Sequence, residues 1–275
     1  MGIDIELVAT DLDGTLLNNE QEIEPQDIET LEKLEKKGIL RVIATGRNFF
    51  SLKKIIPKDF PLDYIIFSSG AGIFDWKNYK LIHSEYLPRE KVKQIANFLI
   101  EENLDFMIQE VIPENHKFVY YNTREPNPDF LRRYEMYKEH ATPLNPDTEK
   151  YEHASQIIVI PGKSHDYYLK LAKQLNGTKC IRTTSPLDGE SLWVEIFPEN
   201  VSKGHGLEWL CNHTNTESTK TIGIGNDYND LDLLEFTGHS FAVDNAPVEI
   251  KKVYNSCKSN LECGFSDAVK KIMNL

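Results

Sequence analysis

Along the first eighty residues, short apolar runs alternate with segments whose apolar residues have helical spacing. Residues 5–9 form a continuous apolar run, which predicts a buried strand. Residues 23–38 instead carry apolar side chains three positions apart, with a proline near the start and a glycine at the end, and this predicts a helix. Two further apolar runs, at 39–44 and 64–67, predict more buried strands. Strands that alternate with helices predict a parallel sheet covered on both faces.

The pattern changes after residue 85 and returns near residue 192. The segment between them mixes helical faces with short strands that follow one another directly, which is typical of an α+β unit. Its predicted elements are a helix over 92–99, strands at 106–111, 118–121 and 157–160, and a helix over 168–175. From residue 192 onward, a strand is again followed by a turn and a helix.

We therefore predict an α/β fold, with a Rossmann-like parallel-sheet core, helices on both faces and an inserted α+β cap domain. The core is discontinuous and comprises residues 1–85 and 190–275, while the cap comprises residues 86–189.

Composition and charge limit the partners. The chain has 275 residues, of which 40% are hydrophobic, and its 31 basic and 43 acidic residues give a net charge of −12. That charge disfavours nucleic acid and anionic membranes, and an anionic substrate would need a local positive patch. The cysteines show no CxxC pair and no apolar run is long enough to span a membrane, so we expect a cytoplasmic protein. The sequence leaves the oligomeric state open.

Candidate chemistry begins directly after the first predicted strand. Asp11 and Asp13 lie two positions apart, so both carboxylates project to one side while Leu12 points to the other. Gly14 permits a turn, and Thr15 adds a hydroxyl and an N–H. Two carboxylates that face one point repel each other unless a cation or a shared proton lies between them. The competing interpretation is an ordinary Asp-Gly turn.

Two other clusters carry groups suited to an anion. Thr45, Gly46 and Arg47 follow the second predicted strand and offer a hydroxyl, backbone N–H groups and a guanidinium. Lys203 follows Ser202, a predicted N-cap, so its cation stands at the positive end of a helix. Such a cation can hold a phosphate or neutralise a carboxylate. Taken singly, Thr45 is more typical of a strand-end hydroxyl, and Lys203 of a solvated cation.

The last cluster is the segment "GNDYND" at 225–230. Asn226, Asp227, Asn229 and Asp230 supply oxygen ligands of the hard type that Mg²⁺ prefers, although the same residues are also good helix caps. All four clusters follow predicted parallel strands. We therefore expect them to meet at one edge of the sheet.

The ordered set of motifs resembles the haloacid dehalogenase-like (HAD) superfamily, and within it the Cof-type phosphatases with an α+β cap. "DLDGTLL", "IATGR", "VEIFPENVSKGHGLEWL" and "IGIGNDYNDLDLLE" are similar to its four motifs in order, and "FAVDNAPVEIKKV" is similar to a further segment. The resemblance covers most of residues 5–83 and 190–273. Each motif alone is weak, but the ordered set is specific.

The resemblance implies a phosphoric monoester hydrolase that uses Mg²⁺. Asp11 would be the nucleophile and form an aspartyl-phosphate, and Asp13 would be the general acid and base. The metal would be held by Asp11, the Asp13 carbonyl and the fourth motif. Thr45 and Lys203 would act on the transferred phosphoryl group.

The resemblance also implies a set of substrate-binding residues, and the sequence differs from the family's usual fourth motif. The residues expected to contact substrate are Thr15, Gly46, Arg47 and Asn229. The family's fourth motif usually reads "GDxxND", so an acidic metal ligand is replaced here by Asn226. An amide oxygen can coordinate Mg²⁺ but adds no charge, so we predict Asn226 as the ligand and keep Asp227 as the alternative.

Three functions fit these residues. The first is a Mg²⁺-dependent phosphatase acting on a small phosphorylated metabolite, with a sugar phosphate favoured. The second is a phosphomutase with the same nucleophile, which would yield a sugar 6-phosphate from a sugar 1-phosphate rather than free phosphate. The third is a non-catalytic relative that only binds a ligand, a reading favoured by Asn226 but opposed by the presence of Asp11, Asp13, Thr45 and Lys203.

Overall fold

The structure is a computed structural model that describes residues 4–123, 125–146, 151–161, 166–185, 187 and 189–274. It consists of two compact units. The first unit comprises the chain up to Arg47, Ser51–Ser84 and Ser202–Leu275, and the second comprises Asn48–Phe50 and Glu85–Val201. No helix among the described residues is long and apolar enough to cross a lipid bilayer.

Strands and helices alternate in the first unit and are mixed in the second. The strands are β1 (Leu7–Thr10), β2 (Leu40–Ala44), β3 (Tyr64–Phe67), β4 (Gly72–Asp75), β5 (Lys80–Ser84), β6 (Phe106–Gln109), β7 (Phe118–Tyr121), β8 (Ala141–Pro143), β9 (Gln156–Val159), β10 (Thr178–Thr184), β11 (Leu192–Pro198), β12 (Thr221–Gly225), β13 (His239–Val243) and β14 (Asn255–Cys257). The helices are α1 (Pro25–Lys36), α2 (Phe49–Leu52), α3 (Arg89–Glu101), α4 (Pro128–Tyr137), α5 (Asp166–Gln174), α6 (Lys203–Thr214), α7 (Leu231–Phe236), α8 (Val248–Lys251) and α9 (Gly264–Ile272).

The first unit is built on a sheet with the strand order β14-β13-β12-β1-β2-β3-β4-β5. The strands from β14 to β3 are parallel, and β4 and β5 add an antiparallel edge. This is the parallel-sheet core that the apolar runs predict, and the predicted fold class is confirmed. The hairpin of β4 and β5 was not predicted, because its short strands carry no clear alternation.

Helices cover both faces of this sheet. On one face, Leu7, Val42 and Ile66 pack with Leu207 of α6 and Leu233 of α7 in one buried cluster. Helices α1 and α9 contact each other, and they also contact β2, β12 and β13. They lie against the side chains that point to the opposite face of the sheet. Both layers remove continuous apolar surface from water, which supplies most of the stability of such a core.

The second unit has its own sheet, with the strand order β10-β11-β9-β6-β7-β8. All its neighbouring strands are antiparallel except β7 and β8. Helices α3 and α5 bury their apolar faces against Phe106, Ile108 and Val194 on one side of the sheet. On the other side, Phe130 of α4 packs with Met107 and the residues around it.

The position at which the chain returns to the first unit differs from the prediction. The sequence placed residues from 190 onward in the core, but β11 pairs with β10 over its whole length and with β9 on its other side. The second unit therefore extends to Val201. Ala172, within the helix predicted over 168–175, is exposed.

Candidate active site

The carboxyl ends of three neighbouring strands define the site in the first unit. β1 pairs in parallel with β12 on one side and with β2 on the other. Asp11 follows β1, and its backbone N–H donates to the Ile224 carbonyl at 2.8 Å. Thr45 follows β2, and Asn226 follows β12. Adjacent parallel strands thus bring three of the predicted residues to one edge of the sheet.

The ammonium group of Lys203 lies between two buried carboxylates. Its Nζ is 2.6 Å from Asp11 Oδ1 and 2.5 Å from Asp230 Oδ1. The three side chains are at most 5% exposed. One cation therefore faces two carboxylates in a space that water does not reach. The sequence left open whether Lys203 holds a phosphate or neutralises a carboxylate, and it did not identify Asp230 as a partner.

Two local features fix Lys203 at the start of α6. Ser202 is the N-cap, as predicted, and its Oγ accepts from the His205 N–H at 3.2 Å. Gly70, in the turn between β3 and β4, has a φ of +105°, and a Cβ there would lie 2.1 Å from the Ser202 carbonyl oxygen. Glycine therefore lets this turn pack directly against the helix start.

The charge balance of this cluster is reflected in its pKa values. Burial, and after it the Asp230 carboxylate, raise the pKa of Asp11 to about 7, although Lys203 acts in the opposite direction. Burial alone would lower the pKa of Lys203, but Asp11 and Asp230 outweigh it and the pKa is raised. The lysine is therefore charged, and the two carboxylates carry more negative charge than it neutralises. A second cation beside Asp11 would remove the excess.

Asp11 also has a free coordination position. Its Oδ2 and the hydroxyl oxygen of Thr15 are buried without a hydrogen-bond partner among the described residues. A buried carboxylate oxygen with no donor is the arrangement that a hard cation such as Mg²⁺ satisfies, so the residues present fit the metal. Within the described ranges, no three side chains of His, Cys, Asp or Glu converge as metal ligands.

Asp13 is the exposed member of the aspartate pair. It is 45% exposed, and Arg47 donates to both of its oxygens, from Nε to Oδ2 at 2.7 Å and from Nη2 to Oδ1 at 2.6 Å. Such a two-point contact fixes the orientation of the carboxylate. The sequence predicted Arg47 as a substrate contact, and in this structure its guanidinium faces Asp13.

Gly14 lets Asn226 approach the aspartate loop. Gly14 has a φ of +76°, and a Cβ at this position would lie 2.5 Å from Asn226 Nδ2. Asn245 donates to the Gly14 carbonyl at 2.8 Å and holds the same turn from the other side. The Asn226 side chain thus lies beside the loop that carries Asp11 and Asp13.

Asp227 has a structural contact instead. Its Oδ1 accepts from the Tyr228 N–H at 2.7 Å and caps the short 3₁₀ turn that follows β12. Asp230 Oδ2 reaches back to the N–H groups of Asn226 and Asp227 at 2.8 and 3.0 Å. The loop is therefore closed by its own carboxylates, which were predicted as either ligands or caps.

The remaining predicted residues surround the end of β2. Thr45 is fully buried, and its Oγ1 accepts from the Arg47 N–H at 3.1 Å. Gly46 is bordered by Asn229 and Ser69, since a Cβ on Gly46 would lie 3.9 Å from Asn229 Nδ2 and 3.5 Å from Ser69 Oγ. The structure thus places Gly46 and Asn229 side by side, as expected for groups that would share a ligand.

The sequence matches a known protein family over most of its length. Residues 8–269 match the model of the haloacid dehalogenase-like hydrolase family. The chain belongs to this family. The match contains the whole second unit and nearly all of the first, so the resemblance inferred from the motifs is confirmed.

Individual HAD relatives span nearly the whole chain. A Bacillus subtilis (strain 168) protein, 5-amino-6-(5-phospho-D-ribitylamino)uracil phosphatase YwtE, is 29% identical over 97% of this chain and 98% of its own length. Phosphatase YwpJ of the same organism is 22% identical over 98% of this chain and its full length.

Solved structures share the HAD fold. The Bacteroides thetaiotaomicron phosphatase BT1666 superposes with a TM-score of 0.80 at 19% identity and covers 98% of this chain and 95% of its own. BT4131, described as a HAD subclass IIB sugar phosphatase, gives a TM-score of 0.76 at 19% identity over 97% and 98% of the two chains. At these identities, the structural likeness supports the fold alone. The family match and the relatives show that the chain is a HAD-type phosphatase.

Proposed function

We propose that this HAD phosphatase is Mg²⁺-dependent and hydrolyses a small phosphorylated metabolite, a sugar phosphate, through an aspartyl-phosphate on Asp11. The observation that carries the proposal is the environment of Asp11. One oxygen is bound by Lys203 at 2.6 Å, and the other is buried without a partner among the described residues. A carboxylate held in this way is oriented and dry, as a nucleophile needs to be.

In this mechanism, the chain's own residues divide the work. Asp11 would attack phosphorus, and Lys203 would offset negative charge as the phosphoryl group approaches. In its protonated form, Asp13 would leave Arg47 and donate its proton to the leaving oxygen; as a carboxylate, it would then take a proton from the attacking water, which restores the protonated form. Arg47 is positioned to stabilise Asp13 between these steps, since it already binds both carboxylate oxygens.

The metal would be held by Asp11, the carbonyl of Asp13 and Asn226, with Asp227 as the alternative. When bound, Mg²⁺ supplies positive charge that reduces repulsion between the nucleophile and an anionic substrate. The contacts favour Asn226, because its side chain lies against Gly14, whereas Asp227 already caps the following turn.

The remaining predicted residues would bind the phosphoryl group and the rest of the substrate. Thr45, Gly46 and Asn229 would hold phosphate oxygens, together with the Thr15 hydroxyl, which is buried without a partner among the described residues. The sugar phosphatase BT4131, which shares the fold, favours a sugar phosphate as the substrate, and YwtE, which acts on a phosphorylated ribityl compound, adds such a compound as a second candidate. We further propose a cytoplasmic setting, since the four cysteines are free.

The mechanism is tested by replacing the nucleophile. We expect Asp11→Asn to reduce phosphate release from p-nitrophenyl phosphate to background, because an amide cannot form the acyl phosphate. The matched control is Asp59→Asn, which makes the same change at an exposed position of the first unit. Wild-type turnover in Asp11→Asn would refute the mechanism.

The metal set is tested by titration of Mg²⁺ against activity. We expect Asn226→Ala to raise the Mg²⁺ concentration needed for half-maximal activity, while Asp227→Ala mainly lowers thermal stability through loss of its cap. An unchanged metal requirement in Asn226→Ala, with a raised one in Asp227→Ala, would reverse the assignment.

A further inference from the structure

The turn that follows β13 carries a side chain that reaches the aspartate loop, residues 11–17. Asn245 is the second residue after β13, and its Nδ2 donates to the Gly14 carbonyl at 2.8 Å. Its Oδ1 accepts from the Asn260 N–H at 3.1 Å. Because one neighbour can only accept and the other can only donate, a single orientation of the amide satisfies both. The Asn245 side chain is therefore fixed at both ends, although the residue is exposed.

A second asparagine holds the far end of the same loop. Asn260 is 3% exposed, and its Nδ2 donates to the Leu17 carbonyl at 3.0 Å. Inside the loop, the N–H groups of Leu16 and Leu17 donate to the Leu12 carbonyl at 3.1 and 2.8 Å. The far end of the loop is thus held from inside and outside, whereas the near end depends on the bond from Asn245 to Gly14.

The conformation of Gly14 makes this bond necessary. Its φ is +76°, and glycine has the widest choice of backbone angles of any residue. A larger residue cannot stiffen the position, because a Cβ there would lie 2.5 Å from Asn226 Nδ2. Rotation about the Gly14 backbone bonds displaces Asp13, its direct neighbour in the chain. The restraint on this loop must therefore come from outside it.

The turn that carries Asn245 is itself held in place. Lys251 Nζ donates to the Asp244 carbonyl at 2.6 Å and to Asp244 Oδ1 at 3.0 Å. The Ala246 N–H donates to the Val243 carbonyl at 2.9 Å. Because β13 pairs in parallel with β12, the turn lies at the same edge of the sheet as the aspartate loop. Asn245 thus joins the loop to a fixed support.

We propose that Asn245 is a positioning residue for the phosphatase reaction, because its bond to the Gly14 carbonyl holds the aspartate loop in the conformation that presents Asp13. The inference rests on the proposed function, in which Asp13 gives and takes the protons of the reaction. Proton transfer requires that donor and acceptor stay within hydrogen-bond distance. A loop that samples other conformations therefore lowers the rate of the chemical step more than the affinity for substrate.

The test separates the two bonds of the Asn245 side chain. Asn245→Asp keeps an acceptor for the Asn260 N–H but loses the donor to Gly14, whereas Asn245→Ala loses both. We expect each variant to lower kcat for p-nitrophenyl phosphate at saturating Mg²⁺ by about tenfold, with KM changed by less than about twofold. A similar loss in both variants assigns the effect to the missing donor, since only one of them adds a charge. Wild-type kcat in either variant overturns the proposal.

The matched control is an asparagine that makes the same kind of bond elsewhere in the first unit. Asn255 is exposed, and its Nδ2 donates to the Ser240 carbonyl at 3.3 Å near the start of β13, at the opposite edge of the sheet. Asn255→Ala should keep wild-type kcat. Loss of one exposed hydrogen bond should lower the melting temperature of each variant by no more than about 2–4 °C. A kcat that follows the melting temperature across the three variants would indicate a structural role and overturn the proposal.

Amide hydrogen exchange, measured in a chelator, reports on the loop without turnover. We expect the N–H groups of Leu16 and Leu17 to exchange about tenfold faster in both Asn245 variants than in wild type, because the loop opens more often. Their exchange should not change in Asn255→Ala. Unchanged exchange in both Asn245 variants overturns the proposal even when kcat falls.

Asp13→Asn distinguishes failure of this inference from failure of the proposed function. Wild-type turnover in Asp13→Asn means that the role proposed for Asp13 is wrong, and faster exchange in the Asn245 variants then still supports the restraint on the loop. Loss of turnover in Asp13→Asn, together with wild-type kcat in Asn245→Asp, overturns only the inference about Asn245.

Discussion

Replacement of Lys203 by methionine should destabilise the first unit strongly. The Lys203 ammonium is 2.6 Å from Asp11 and 2.5 Å from Asp230, and all three side chains are buried. The variant leaves two carboxylates facing each other without a cation. Loss of one partner from a buried ion pair costs about 3–5 kcal/mol. At about 2–4 °C per kcal/mol for a chain of this size, the melting temperature should fall by about 6–20 °C.

Asp11→Asn is the matched comparison, because it leaves one cation facing one carboxylate. The cluster then has no excess charge, so its stability should change by less than about 1 kcal/mol or increase. Both variants are measured by urea denaturation and thermal melting in the presence of a chelator, so that no divalent cation compensates for the lost lysine.

The stabilities of the two variants are compared at the unfolding transition of the first unit. A chain of two units can unfold in two steps, so the relevant midpoint is the one that moves when Lys203 is changed. If Lys203→Met is no less stable than Asp11→Asn, the lysine does not hold the two carboxylates together and the charge argument is wrong.

Three further predictions concern other buried contacts. Gly14→Ala should lower stability by about 1–2 kcal/mol, because alanine is strained at a positive φ, and should also lower activity, because its Cβ would displace Asn226; melting and turnover check both. Burial raises the pKa of Asp27 above 3.8, so ionisation of this carboxyl lowers stability as pH rises through the raised pKa. Asp27→Asn should therefore be more stable than wild type at pH 7, and this difference should disappear in acid. Free energies of unfolding measured across that pH range decide it, and a constant difference would contradict it. Arg41→Met should cost about 3 kcal/mol in urea denaturation, because the buried Asp63 loses one of its two cations.

Much of the site could be predicted from the sequence because strand ends determine where residues meet. Asp11, Thr45 and Asn226 each follow a parallel strand, so the topology alone brings them together. Lys203 was found through its N-cap, Ser202, since a capping residue marks a helix start at single-residue precision. These signals depend only on local pattern and on the general geometry of parallel sheets.

The rest of the site depends on side chains whose partners the sequence does not specify. The contact of Arg47 with Asp13 depends on the rotamer of a long side chain, and the pairing of Asp230 with Lys203 joins residues 27 positions apart. Neither contact leaves a periodic trace. The residues themselves could be named in advance, but their pairing could not.

The second unit was harder to predict for a different reason. Helix α4 lies where prolines cluster, and that cluster favours a loop, yet Pro128 occupies the first turn and Asn127 caps it by accepting from the Phe130 N–H at 3.3 Å. Strand β11 was assigned to the core because a turn and a helix follow it, as they follow the strands of the core. A run of buried residues shows that both faces are covered, but it does not show which sheet the strand joins.

Buried polar atoms without partners occur at places with different consequences. Asp27 also has an unpaired oxygen, but Ser266 binds its other oxygen through both its N–H and its hydroxyl, which is typical of a structural contact between two helices. Asp11 differs, because parallel strands align other polar groups beside it. A single unpaired atom can result from packing alone, whereas unpaired atoms that a sheet aligns have a spacing that a ligand can match. The unpaired oxygen of Asp11 suits the metal proposed above, whereas that of Asp27 is explained by packing alone.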